Sequence, residues 1–295
     1  MSDKLIHSFF HAVEHTLPII PFLFLTYFFM ELLEHRAGDK MNALVMRSGK
    51  AGHLVGALLG TIPQCGFSAV GAGLYSRRLI TTGALISIFL STSDEMLPIL
   101  ISSGISLAKI VKILGCKIVI AIFAGVFTDL VISLKNKKGI HENGAVDICE
   151  SEHCHCHCEN RGLLLAALIH TLQIILSVLA ISFAINFTLE LLGEDFLTDV
   201  MNSAPVLSCI ISALVGLLPN CASSVAITQL YLQGVLPIGA MLSGLLVNAG
   251  IGMLILLRAN KPIGDSLRVI GILLATGIIF GTLFDVTPLG AVLGL

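Results

Sequence analysis

The chain has 295 residues, 55% of them hydrophobic and only 12% charged, with a formal net charge of −2. Together with a mean hydropathy of +0.94, this excludes an ordinary water-soluble domain and a disordered chain, and the near-neutral balance offers no argument for nucleic acid or an acidic partner; no nucleic-acid partner is expected. What remains is an all-α polytopic membrane protein whose first partner is the lipid bilayer, because the alternation expected of a membrane barrel is missing.

In chain order, Asp3, His7 and His11 lead into an apolar segment without an Ala-x-Ala-type cleavage site, so the N-terminus reads as an anchor and not as a removed signal peptide. At about 20 residues per ~30 Å of hydrocarbon, spans are predicted over 17–33, 79–101, 113–134, 163–187, 235–257 and 269–284. Glu31 and Glu34 close the first of these beside His35 and Arg36 and read as solvated interfacial carboxylates, as do Asp129 and Glu190. His53, His170 and Gln173 read equally well as satisfied core residues or as proton relays.

Two polar interruptions share one register. "GTIPQCGFS" at 60–68 and "GLLPNCASS" at 216–224 align at an offset of 156 residues, and the ungapped match continues through Tyr75 with Tyr231, Gly83 with Gly239 and Ser87 with Ser243. The chain is read as a tandem duplication: 1–134 as the first membrane repeat, 135–162 as a cytoplasmic loop and 163–295 as the second repeat. Loop 35–50 and Arg77-Arg78 are basic, whereas their counterparts at 192–205 and Gln233-Gly234 carry no Lys or Arg. The positive-inside bias therefore predicts opposite membrane orientations for the two halves. Each motif would then sit in a segment that begins and ends on one face. Arms of about 12 residues reach ~18 Å, as far as the bilayer middle, which predicts a re-entrant helical hairpin in each repeat with Pro63-Gln64-Cys65-Gly66 and Pro219-Asn220-Cys221-Ala222 at the tips.

"FLSTSDEMLP" at 89–98 places Asp94 and Glu95 inside an apolar span, where an uncompensated acid costs ~2.5–3.5 kcal/mol. Pro98 disfavours helix at Leu97, and Ser91, Thr92 and Ser93 supply hydroxyls for freed backbone groups, so a broken transmembrane helix is predicted. On a continuous helix Glu95 would lie about 100° from Asp94 and need not share its cavity. The repeat counterpart is "LLVNAGIGM", with Asn248 at the position of Thr92. The candidate substrate-binding set is Gln64, Cys65, Ser68, Asp94, Glu95, Asn220, Cys221, Ser224 and Asn248.

Eight cysteines in this setting read as free thiols or metal ligands. In "CESEHCHCHCEN" at 149–160, thiols and imidazoles alternate through His153, Cys154, His155, Cys156, His157 and Cys158. That density suits borderline and soft ions, though the spacing is not that of a zinc finger, and the loop reads as a cytoplasmic capture or sensing element flanked by Lys135, Lys137, Lys138 and Arg161. With Cys65, Cys221 and Asp94 these residues form the candidate metal ligands.

The paired "PQCGFS" and "PNCASS" motifs and the His/Cys-rich central loop resemble the ten-span heavy-metal exporters, a group likened to arsenic permeases and also described as manganese transporters. The resemblance spans nearly the whole chain and implies a multi-pass exporter of a metal or metalloid in the inner membrane of a bacterium or archaeon. No Walker-type loop or phosphorylatable aspartate motif occurs, so secondary transport coupled to a proton or sodium ion is expected, with no resident cofactor; a homo-oligomer is compatible with this reading. The alternatives are an oxyanion or metalloid carrier, with hairpin helix ends facing the anion, and an intramembrane thiol- or metal-dependent enzyme. The last lacks a Cys-x-x-Cys pair or a His-Glu-x-x-His set.

Overall fold

The computed structural model describes residues 52–62, 65–93, 95–135, 204–219 and 221–287, with five single positions between 172 and 183. The predicted span 17–33, most of 163–187, and Glu31, Glu34, His170, Gln173 and Glu190 lie outside the described residues, so nothing tests those readings.

The described helices form two runs of five with no strand between them. The first run is α1 (Gly52–Gly60), α2 (Cys65–Ser76), α3 (Thr82–Ser91), α4 (Met96–Ser102) and α5 (Leu107–Lys135). The second is α6 (Pro205–Gly216), α7 (Cys221–Leu232), α8 (Ile238–Val247), α9 (Ile251–Ala259) and α10 (Ile263–Val286). Both ends of α2 and α7, and both ends of α3 and α8, fall at the 156-residue offset of the sequence match. Local chemistry fixes these ends. The Thr81 hydroxyl accepts from the Ala84 amide at 3.1 Å to start α3, Pro237 stands at the same place before α8, and Pro205 opens α6 where a missing N–H costs nothing.

Among the described residues four segments are long and apolar enough to cross a membrane: Thr82–Ser102, Leu107–Leu134, Ile238–Ala259 and Ile263–Val286. They correspond to four of the six predicted spans, and the chain has the character of a helical membrane protein. The first and third are interrupted, and the structure buries them at the centre; every residue of α3 after Thr82 and of α8 after Ile238 is buried. The continuous α5 and α10 lie outside and expose Leu107, Val119, Phe123, Leu267 and Ile279. This division follows from backbone chemistry, since a continuous helix satisfies its own amides against lipid whereas an interrupted one needs protein around it.

Glycines allow the central helices to meet the outer ones closely. A Cβ on Gly83 would lie 2.2 Å from the Gly125 carbonyl oxygen, and one on Gly239 would lie 2.2 Å from that of Gly281. The same junctions carry a matched pair of carboxylates. Asp129 accepts the Gly83 amide and Asp285 the Gly239 amide, each at 2.7 Å, so each acid closes the first turn of a central helix where the helix dipole favours negative charge. Asp129 also pairs with His53 Nε2 at 2.7 Å, and Asp285 accepts from the Cys209 thiol at 3.7 Å. Reading Asp129 as an interfacial, solvated carboxylate therefore needs correction. It is a helix cap satisfied by an amide and an imidazole, and His53 is its satisfied partner.

Candidate functional site

Each interrupted helix breaks at the predicted motif. In the first repeat α3 ends at Ser91 and α4 resumes at Met96. The Ser91 and Thr92 hydroxyls donate to the Ile88 carbonyl at 3.0 and 2.8 Å, and Ser93 donates to the Ser91 carbonyl at 3.1 Å, so the three hydroxyls satisfy backbone oxygens around the break. Two details differ from the sequence reading. Leu97 is helical, because Pro98 lies in the first turn of α4, where a missing N–H removes no intrahelical bond. Glu95 is the N-cap of α4, so the 100° spacing from Asp94 expected of a continuous helix does not apply.

Glu95 is 1% exposed, and its carboxylate does not cap its own helix. It reaches across to the second repeat, where the buried Ser224 hydroxyl donates to Oε2 at 3.4 Å. Ser224 belongs to the "PNCASS" stretch on α7, so the acid of one repeat meets the motif of the other. The reciprocal contact also exists. Gly252 on α9 packs on α2 so tightly that a Cβ there would lie 2.6 Å from the carbonyl oxygen of Ser68, the buried serine of "PQCGFS". The distal half of each broken helix therefore packs against the motif helix of the opposite repeat.

The motif helices themselves begin at Cys65 and Cys221. Cys65, Gly66, Cys221 and Ala222, expected at turns between helices, therefore lie in the first turns of α2 and α7. Pro63, Gln64, Asp94 and Asn220 lie outside the described residues, as do the side chains of Cys65 and Cys221 and the whole 149–160 loop with His153, Cys154, His155, Cys156, His157 and Cys158. Among the described residues no group of three His, Cys, Asp or Glu could hold a metal ion.

The second repeat closes its break differently. Asn248 is buried, and its Oδ1 accepts the Gly250 amide at 3.0 Å in a local turn. Gly250 has φ +53°, a conformation natural to glycine, and it stands where the first repeat has Asp94. Asn248 thus serves the backbone of its own break.

One residue of this region escaped the sequence reading. Lys117, in the middle of α5, is 1% exposed, and its Nζ donates to the Thr92 carbonyl at 2.5 Å and to the Leu245 carbonyl at 3.1 Å. The signal was present, since a lysine ten residues into an apolar span is as costly as the acids that were singled out.

At one edge of the molecule, Arg78 Nη1 bonds Asp265 Oδ2 at 2.6 Å, Tyr75 donates to the same oxygen at 3.2 Å, and Arg78 Nη2 reaches the Lys261 carbonyl at 3.4 Å. The Asp265 carboxylate raises the affinity of Arg78 for its proton still further. Arg78 has φ +62° in the turn after α2, and Gly234 takes up φ +77° at the matching turn. No family model, curated protein or solved structure matches the chain.

Proposed function

We propose that the protein is a secondary active transporter that exports a divalent or soft heavy-metal ion across the inner membrane of a bacterium or archaeon, using two inverted repeats that each hold a re-entrant hairpin and a broken helix. The observation that carries this reading is the buried Glu95 carboxylate, at a helix break within an apolar span, bonded to Ser224 from the motif of the other repeat. An acid at that depth is costly unless a cation or proton partner justifies it. Its position between two repeats is where an alternating-access carrier would hold its cargo.

The inversion is supported by the edge contacts of Arg78. Arg78 precedes the span Thr82–Ser102, whereas Lys261 follows the span Ile238–Ala259. When the start of one span touches the end of its repeat counterpart, the two run antiparallel. The basic residues Arg77, Arg78, Arg258 and Lys261 then gather on one face, as the positive-inside bias requires of the cytoplasmic side. On this reading Cys65 and Cys221 flank the site from opposite faces as soft ligands, Asp94 and Glu95 supply charge, and the His/Cys loop collects ions on the cytoplasmic side.

A second reading, transport of an oxyanion or metalloid, draws on the start of α2 and α7 at the two motifs, which aims positive helix ends at the same region, and on the nearby Lys117. Flux of Mn²⁺, Zn²⁺, Cd²⁺, arsenite and arsenate into proteoliposomes, with and without a pH gradient, separates the two. The proposal expects gradient-dependent flux of at least one cation and none of arsenate. Flux of arsenate alone favours the second reading, and no flux of any of the five removes both.

A further inference from the structure

We infer that Lys117 is a tethered cation filling a monovalent-cation seat between the two repeats, so that the coupling step of this carrier takes no sodium ion. The inference rests on the transporter reading for its consequence in coupling and on geometry for the seat itself.

The seat is made by the ends of two helices. Thr92 is the C-cap of α3. Leu245 lies in the last turn of α8, where the final four carbonyls lack intrahelical donors and the helix dipole is negative. Asn248 N takes the Gly244 carbonyl, and Lys117 Nζ takes that of Leu245. From Thr82, Thr92 lies ~15 Å along the helix, about the half-thickness of a bilayer. If the spans run antiparallel, α3 and α8 enter from opposite faces and their carbonyl ends converge on one ammonium. Two converging helix C-termini that offer backbone oxygens at mid-membrane form a coordination shell suited to a small hard monovalent cation.

The surroundings make the charge specific to this seat. Among the described residues, α3 and α8, whose ends make the seat, contain no titratable group; Glu95 stands at the start of α4, His53 on α1 is taken by Asp129, and α10, which touches α5 through Phe280, carries Asp265, Arg268 and Asp285. The repeat counterpart of Lys117 is Leu273, fully buried on α10, so the ammonium has no matching charge at the symmetric position.

The test is the melting temperature of the detergent-purified full chain in N-methylglucamine, sodium, potassium and ammonium chloride at equal ionic strength. Wild type should melt at one temperature in all four. Lys117→Ala should melt lower in N-methylglucamine and recover, in a saturable way, with ammonium or sodium, as linkage to a bound ion requires. Lys117→Met, which fills the space with an apolar chain, should melt lower and stay unresponsive. Sodium-specific stabilisation of wild type overturns the inference, as does a Lys117→Ala protein that gains no more from ammonium or sodium than wild type does. If neither variant can be recovered folded, the wild-type series decides alone: a flat series supports the seat as already filled, and a sodium response rejects it. Because this readout needs no transport, failure of metal flux would remove the carrier reading while leaving the seat standing.

Discussion

The two helix breaks are built on one plan and finished for different tasks. In the second repeat the break at Asn248 to Gly250 closes locally, through an asparagine that accepts the Gly250 amide and a glycine with positive φ, and only the Leu245 carbonyl before it is held from outside, by Lys117. In the first repeat the break from Thr92 to Glu95 is tied outward, with the Thr92 carbonyl held by Lys117 from another helix and Glu95 held by Ser224 from the other repeat. The matched junctions at Gly83 with Asp129 and Gly239 with Asp285 show that the scaffold stayed alike while the breaks diverged. The two runs of helices thus give two equivalent frames, with the polar chemistry concentrated in one of them.

The largest expected effect tests whether the frames are equivalent. Gly83→Ala and Gly239→Ala each drive a Cβ to 2.2 Å from a facing backbone oxygen, which no rotamer change relieves. Each should lose about 1–3 kcal/mol or more of stability, by similar amounts, in thermal melts of the purified protein. A tolerated change at one site alone would break the symmetry of the scaffold.

On the proposed transport reading, function should divide unequally between the breaks. Glu95→Gln keeps the volume and removes the charge, so flux of the transported cation should fall about 10–100-fold, the kinetic equivalent of ~1.5–3 kcal/mol for a hydrogen bond to a charged group. Its melting temperature should stay close to wild type. Asn248→Ala should do the reverse, with flux within about threefold and stability lower by ~1 kcal/mol from the lost turn bond. Equal flux losses in both variants, at matched expression, would mean that the second break also handles cargo.

Gly250→Ala probes the same difference through the backbone. An alanine held at φ +53°, ψ −138° costs roughly 1–3 kcal/mol, read as a lower melting temperature with flux retained in the folded fraction. The smallest effect belongs to the edge. Arg78→Ala removes an exposed ion pair to Asp265 that contributes ~0–1 kcal/mol, and it keeps the Cβ that φ +62° disfavours. The net change in stability should therefore be slight, whereas Arg78→Gly should be neutral or mildly stabilising.

Much of the scaffold was legible in the sequence because its signals are one-dimensional. Apolar length located four spans, the 156-residue register located paired helices, and Asp94-Glu95 within an apolar run located the first break. The partners could not be read in that way. Glu95 meets a serine 129 positions away, and Lys117 reaches a carbonyl 128 positions away, pairings that only the packing of one repeat on the other creates. Asp129 was misjudged for a related reason, since its position near a span end suggested solvent while its role depends on a close Gly83–Gly125 crossing. Asn248, a candidate cargo ligand, turns its Oδ1 to the Gly250 amide, a contact that sequence does not show.

The central claim is that equivalent helices enter from opposite faces and meet at mid-membrane, and sided labelling tests it most directly. In a variant lacking the native cysteines, single cysteines would replace Arg77, Gln233 and Lys261 and be probed in intact cells with a membrane-impermeant maleimide, before and after opening the membrane. The account predicts that Gln233→Cys labels from outside, whereas Arg77→Cys and Lys261→Cys label only once the cytoplasmic face is exposed. Labelling of Arg77→Cys and Gln233→Cys from the same side would contradict it.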